Sequence, residues 1–381
     1  MKSIDILIDI QVVPLTADGI ATVLHGLLPA LFAIDSVNTY FLIGNSDSFP
    51  SLCPMVPNVQ GAIWLKNRSA TFHRLITQHF FDGIKVNRLS PRIFFSPATL
   101  LPYGLSSKIK AIPVIHDLAI YRIPNIYPKA KILYRKFLFE NVIRRADHLV
   151  SISDTTKRDI QGIFNIPSSK ITVIPNGTSI PICSSSSPDE ISVHCQRLKL
   201  PERYILFVGN IMPRKNIARL IRAFDILAQR SAGKDTFLVI VGKFVLMTKE
   251  VESAFSSATC KNRICFMGEV SDEDLVWFYR CATIFAYVSL YEGFGLPILE
   301  AMASGTAVLT SNLGAMAEVA GNAALLVNPL DIEEIAYALE QILLNQHLQK
   351  SLLVKGFNQV KRYTWESSAK EYVALWNKIL K

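Results

Sequence analysis

The chain has 381 residues, half of them hydrophobic and 19% charged, with a net charge of +9. That length exceeds one ordinary core and predicts two domains of about 150–200 residues each, and the composition excludes a disordered chain. No apolar run reaches the roughly 18 residues that a bilayer-spanning helix needs. Asp5 and Asp9 interrupt the first apolar stretch, which therefore reads as a buried strand rather than a signal-peptide core, and a cytoplasmic location is the expectation.

The positive charge is uneven. Residues 66–145 hold fifteen Lys and Arg against three Asp and Glu. Such a field attracts anionic lipid headgroups, diphosphates or nucleic acid, and a solvated basic face is the plainer alternative. Nothing resembles a nucleic-acid recognition module, and the aromatic residues are not interleaved with the basic ones as a stacking platform requires, so nucleic acid is not an expected partner. Cys53, Cys183, Cys195, Cys260, Cys265 and Cys281 form no CxxC pair, and no Cys/His cluster has zinc spacing. Reduced structural thiols and no metal site are expected.

In chain order, strands are predicted over 4–10, 39–43, 92–96, 110–115, 148–153 and 171–174. Helices are predicted over 22–34, 131–145 and 154–164, with Ser153 or Asp154 as N-cap of the last. Residues 178–202 break the pattern with Pro181, a run of four serines from Ser184 to Ser187, Pro188 and Pro201, and read as a linker or surface loop. The alternation then restarts. Strands are predicted over 204–209, 237–241, 264–266, 284–288, 307–311 and 324–327. Helices are predicted over 216–231, 272–281, 296–304, 332–345 and 365–380. Alternation of this kind means parallel sheets covered by helices, an α/β chain.

The strongest chemical signal is Glu292-Gly293-Phe294-Gly295-Leu296-Pro297-Ile298-Leu299-Glu300. It follows an apolar strand and leads into a helix. The glycines let the backbone approach a ligand, and Pro297 suits a first helical turn. The unpaired amides and positive dipole end of that helix make an anion site suited to a diphosphate. Glu300 can accept bonds from vicinal hydroxyls such as those of ribose, and Glu292 can reach another part of the same ligand. A tight strand–helix turn capped by acids is the bland alternative; two glutamates bracketing Gly-x-Gly-x-Pro favour a site. Earlier in the chain, Arg214 and Lys215 stand after one strand and before a helix, in Pro213-Arg214-Lys215-Asn216. There they can neutralise a diphosphate as it leaves. His116-Asp117 ends a third strand.

These segments resemble, over roughly residues 4–360, the retaining glycosyltransferases of family 4, the group 1 family with the GT-B fold. The resemblance implies two facing Rossmann-like domains with an interdomain cleft. Residues 1–180 would bind the acceptor, 181–202 link, 203–360 bind the nucleotide sugar, and 361–381 form a helix crossing back to the first domain. It implies catalytic roles for His116 and Glu292, donor-sugar contacts from Asp117 and Phe294, and ribose binding by Glu300. Donor phosphates would meet Arg214, Lys215, Gly295, Leu296 and Gly19. At that last position the usual Gly-Gly-Ile turn reads Asp18-Gly19-Ile20, which puts an acid near the expected anion. No metal and no separate cofactor are implied, the substrate being a GDP- or UDP-linked sugar. The wording of the motifs is similar to that of bacterial surface-polysaccharide mannosyltransferases. GDP-mannose is therefore the expected donor, and a glycan or lipid-diphosphate-linked glycan the expected acceptor. Residues 66–145 would contact an anionic membrane at the cytoplasmic face. A UDP-sugar transferase of the same fold, a nucleotide-sugar epimerase and a non-catalytic sugar-nucleotide-binding protein are the alternatives.

Overall fold

A computed structural model describes residues 3–11, 19–45, 58–65, 82–182, 188–244 and 248–381. The chain divides into two compact units, Met1–Gly177 with Thr364–Lys381, and Thr178–Tyr363.

Among the described residues, the first unit is built on seven parallel strands: β1 (Asp5–Asp9), β2 (Thr39–Asn45), β3 (Val59–Leu65), β4 (Ile93–Ser96), β5 (Lys110–Ile115), β6 (Leu149–Ser151) and β7 (Ile171–Val173). Their order across the sheet is β3-β2-β1-β4-β5-β6-β7, so the winding reverses between β1 and β4. Its helices are α1 (Gly19–Ile34), α2 (Asp82–Leu89), α3 (Ala119–Arg122), α4 (Lys129–Arg145), α5 (Asp154–Phe164) and the last of the chain, α14 (Trp365–Ile379). Ile6, Leu7 and Ile8 are all fully buried, as a parallel strand covered on both faces requires.

The last helix is fixed to this unit by aromatic packing. Trp376 is fully buried and meets Tyr40 and Phe95 edge-on, both at 5.9 Å between ring centroids. Gly26 on α1 makes room for Trp365: a Cβ there would lie 2.1 Å from the indole. Thr364 caps the helix by accepting from the Ser367 amide at 3.1 Å, and the Ser368 hydroxyl donates to the Pro175 carbonyl at 2.6 Å.

Among the described residues, the second unit has six parallel strands, β8 (Tyr204–Val208), β9 (Phe237–Val241), β10 (Ile264–Gly268), β11 (Ile284–Tyr287), β12 (Ala307–Ser311) and β13 (Leu325–Val327), in the order β10-β9-β8-β11-β12-β13. The helices that accompany them are α6 (Pro188–Arg197), α7 (Ile217–Gln229), α8 (Lys249–Ser257), α9 (Asp272–Cys281), α10 (Leu296–Ala303), α11 (Gly314–Ala320), α12 (Ile332–Leu344) and α13 (Gln346–Val360). On α7, Ile217, Leu220, Ile221, Phe224 and Leu227 form the buried stripe that a 3.6-residue period produces.

Two expectations are corrected here. Residues 181–202 are not all linker or loop, because α6 lies within them and packs on α9. His194 stacks on Trp277 at 3.6 Å, and Arg197 pairs with Asp274 at 2.5 Å. The same contact brings Cys195 and Cys281 into a disulfide across 86 residues of sequence, so these two are not reduced thiols. No local spacing announces such a pair, since helix packing alone makes the cysteines neighbours. Cys260 and Cys265 are free, and Cys53 and Cys183 lie outside the described residues.

A cross-link closing so long a loop should stabilise the second unit by about 2–4 kcal/mol. Reductant is expected to lower the thermal unfolding midpoint of the wild type and to leave Cys281→Ser unmoved. Equal midpoints with and without reductant in the wild type would refute the bond's contribution.

Candidate active site

The candidate residues of the second unit gather where its sheet reverses direction, at the carboxyl ends of β8 and β11. In an open parallel sheet this is where the chain leaves a crevice for a ligand. Two glycines with positive φ shape the approach. Gly209 follows β8 with φ +143°, and Gly242 follows β9 with φ +140°; a Cβ on Gly242 would fall 2.2 Å from the Gly209 carbonyl oxygen. After a single 3-10 turn, Pro213–Lys215, Asn216 adopts a left-handed conformation at φ +61°. Its side-chain amide donates to the carbonyls of Val288 at 2.9 Å and Pro329 at 2.7 Å. The Leu290 amide donates to the Arg214 carbonyl at 2.8 Å. The loop after β8 is thereby stitched to the loop after β11.

These bonds place Arg214 and Lys215 on the same carboxylate. Lys215 Nζ lies 2.8 Å from Glu292 Oε1, and the Arg214 guanidinium pairs with Oε2. Arg214 also donates to the Tyr291 carbonyl at 3.2 Å. Lys215 and Glu292 are only 7% and 8% exposed, so this is a buried charge cluster. Tyr287, at the end of β11, completes it. Its hydroxyl accepts from Lys215 and donates to Glu292 Oε1 at 3.0 Å, while the lysine sits 4.7 Å from the ring centroid. Burial pushes the Glu292 carboxyl up, but the adjacent Arg214 and Lys215 charges outweigh it and hold the group at about 2.

Gly295 caps α10 with φ +118°, which disfavours any side chain there. Leu296 is the first helical residue and Pro297 the second, and the first-turn amides of such a helix have no partner within it. Glu300, one turn on, is half-buried and accepts from the Tyr279 hydroxyl of α9 at 2.7 Å. Burial raises its proton affinity, and the Tyr279 bond opposes that only in part. Phe294 is 4% exposed with its ring edge-on to Tyr363 at 5.7 Å, so a contact from it to a sugar would run through its backbone.

The remaining predicted residues belong to the first unit. His116 follows β5, is half-buried, and its Nε2 bonds the Pro97 carbonyl at 2.5 Å. Asp117 accepts from the Ala119 amide at 3.0 Å at the head of α3. Gly19 is the exposed first residue of α1, with open space where a Cβ would stand; Asp18 lies outside the described residues. Among the described residues, no three His, Cys, Asp or Glu side chains converge to hold a metal, and no helix is long and apolar enough to cross a membrane. Sequence reasoning missed Tyr287 and Tyr279, because aromatics in a strand and on a helix read as core. Their one signal is that a buried tyrosine hydroxyl needs a partner.

Two tests follow from this geometry. Tyr287→Phe keeps the ring and removes only the hydroxyl bridging Lys215 and Glu292, so a loss of about 1–3 kcal/mol is expected in denaturant titrations. An unchanged midpoint would mean that the hydroxyl is not part of the cluster. The second test is pH. Glu292 has its folded value depressed, so its stabilisation is complete above the ordinary carboxylate range and is lost as pH falls toward about 2. Glu292→Gln should therefore be less stable than wild type at neutral pH, with the gap narrowing in acid. A gap that stays constant with pH would contradict the assignment.

Residues 194–358 match the family of glycosyl transferases group 1, and residues 53–180 match glycosyltransferase family 4. The O-antigen chain mannosyltransferase B of Escherichia coli is 31% identical over 280 residues, covering 72% of this chain and 71% of that protein. WaaG, a glycosyltransferase involved in lipopolysaccharide biosynthesis, superposes with a TM-score of 0.73 at 14% identity, over 97% of this chain and 99% of its own. Anabaena Alr3699/HepE, solved in complex with UDP-glucose, gives 0.72 at 15% identity, over 98% and 100%. With two Rossmann-like parallel sheets and the Glu292–Glu300 and Arg214-Lys215 motifs meeting at the reversal of the second, this chain belongs to the group 1, family 4 glycosyltransferases and is a glycosyltransferase of the GT-B fold.

Proposed function

We propose that this enzyme transfers mannose from GDP-mannose, with retention of anomeric configuration, to a glycan or lipid-linked glycan during assembly of a bacterial surface polysaccharide. The observation that carries the transferase chemistry is the pair of half-buried Arg214 and buried Lys215, held by Glu292 and Asn216 in the loops that lead to α10. Two fixed cations and a helix end suit a diphosphate whose charge grows as it leaves. The sugar and the acceptor class are supported by the likeness to an O-antigen mannosyltransferase. The likeness to a protein solved with UDP-glucose supports the rival donor, a UDP-sugar.

In this reading the bond from the anomeric carbon to the donor phosphate breaks, and a bond to the acceptor hydroxyl forms on the same face. The hydroxyl proton passes to the departing phosphate oxygen. Arg214, Lys215 and the amides of Gly295 and Leu296 offset the leaving charge, so the mechanism calls for no metal. The ionised Glu292 supports positive charge developing on the sugar, and Glu300 exchanges its Tyr279 bond for ribose hydroxyls. By resemblance to the family, His116, Asp117 and the Phe294 backbone contact the donor sugar, and the Gly19 amide a phosphate.

A thermal-shift screen with GDP-, UDP-, ADP- and CDP-linked sugars, on wild type and Glu300→Ala, tests the site. Ligands that bind only the folded state raise the midpoint. One nucleotide class should stabilise the wild type, and Glu300→Ala should lose that response. Stabilisation by a UDP-sugar alone would replace the donor. Conversion of the sugar nucleotide with no acceptor present would favour an epimerase. No shift from any donor, with or without acceptor extract, would reject the reading.

A further inference from the structure

We infer that Thr99 is a positioning residue for His116: it holds the loop after β4 so that the imidazole stays in one orientation and one tautomer. The backbone gives the first sign. Among the described residues, five non-glycine residues have positive φ, namely Ser90, Thr99, Asn165, Lys199 and Asn216. Ser90, Asn165 and Lys199 follow the last turn of a helix, and Asn216 stands between a 3-10 turn and α7. There the left-handed conformation ends or joins helices, a common use of it, and asparagine tolerates it well. Thr99 is placed differently. It lies in the turn after a strand, at φ +57°, and it is the β-branched member of the set. A branched Cβ is disfavoured in that region, so the surrounding contacts must hold the conformation in place.

Those contacts lead to the histidine. The last pair of the β4–β5 register is Ser96 opposite Pro113. One residue further along β5, the Thr99 hydroxyl donates to the Val114 carbonyl at 2.5 Å. Two residues beyond that, His116 Nε2 lies 2.5 Å from the Pro97 carbonyl oxygen. The buried Ser96 hydroxyl accepts from the Leu100 amide at 3.3 Å and closes the turn. Residues 97–99 are therefore tied to residues 114–116 at two points, and the Pro97 carbonyl has little freedom to turn. A carbonyl only accepts, so the hydrogen of the neutral His116 ring sits on Nε2 and Nδ1 is its acceptor nitrogen. The other tautomer would set a lone pair against the Pro97 oxygen. The strained threonine thus acts through a carbonyl that the imidazole needs, and touches no ligand itself.

The effect on turnover rests on the proposed contact of His116 with the donor sugar, but the ring itself can be read without any ligand. In full-length protein carrying isotopically labelled histidine, nitrogen–hydrogen correlation spectra in mildly alkaline buffer show which nitrogen of each ring bears the hydrogen. Loss of one set of signals in His116→Gln identifies this ring. Wild type should show the Nε2–H tautomer alone. Thr99→Gly takes the positive φ without strain and lacks the hydroxyl, so it should stay folded and show a mixture of tautomers. Thr99→Ser, which keeps the hydroxyl, should return the single tautomer. The maximal rate of GDP release from GDP-mannose with acceptor extract should fall about tenfold or more in Thr99→Gly and recover in Thr99→Ser. The donor KM should move little, because the proposed phosphate and ribose contacts are Arg214, Lys215 and Glu300. Added to His116→Gln, the glycine substitution should cost nothing further, since it acts only through that ring. A single Nε2–H tautomer in Thr99→Gly, an undiminished rate there, or a loss that adds to that of His116→Gln would overturn the inference. A wild type that releases no GDP defeats the donor reading instead, and the ring spectra still decide the role of Thr99.

Discussion

A carboxylate buried between two cations is the constraint on which the second unit's functional end depends. Arg214 and Lys215 are consecutive, both largely removed from water, and would repel each other and pay the desolvation of two charges if left alone. Glu292 compensates them from a different loop, 77 residues further on. The cluster therefore does in charge what Asn216 does with hydrogen bonds, closing the loop after β8 onto the loop after β11. A site assembled this way is defined before any ligand arrives, because its members have satisfied one another in one geometry. Preorganised charge of that kind is what a departing diphosphate needs.

The two glutamates of the motif are eight residues apart, yet their surroundings move them in opposite directions. Glu292 meets two cations and stays ionised to about 2. Glu300 is half-buried beside a neutral phenol, and desolvation raises the proton affinity of its carboxyl. Sequence spacing puts both near one ligand; only the neighbours separate a permanent anion from a hydrogen-bonding group. That difference suits different tasks, a fixed negative charge beside a sugar that becomes positive and an acceptor for neutral hydroxyls.

The sheets were legible because parallel strands buried on both faces leave continuous apolar runs, such as Tyr204–Val208 and Phe237–Val241, that end at glycine. The site's skeleton was legible for a related reason: Gly295, Pro297 and the Arg214-Lys215 pair are residue types that few local structures tolerate or need. What stayed hidden depends on contacts distant in sequence. Tyr287 and Tyr279 look like core until their hydroxyls are seen to meet Lys215, Glu292 and Glu300. Helix α6 sits in a proline- and serine-rich stretch and owes its place to the Trp277 stack and the Cys281 bond.

The cluster also bears on specificity. If a diphosphate binds Arg214 and Lys215, it takes over cations that Glu292 already satisfies. The gain from phosphate contacts is then offset by the pairing that Glu292 gives up, so binding at this point is an exchange. All nucleoside diphosphate sugars present the same phosphates, and the exchange is nearly the same for each. Discrimination between donors must come from groups the phosphates do not touch, the base and the sugar hydroxyls. A missing hydroxyl there leaves a polar group such as Glu300 without its new partner. On this argument the charged cluster of the site holds the leaving group, while the choice of sugar rests with the less conspicuous residues around it.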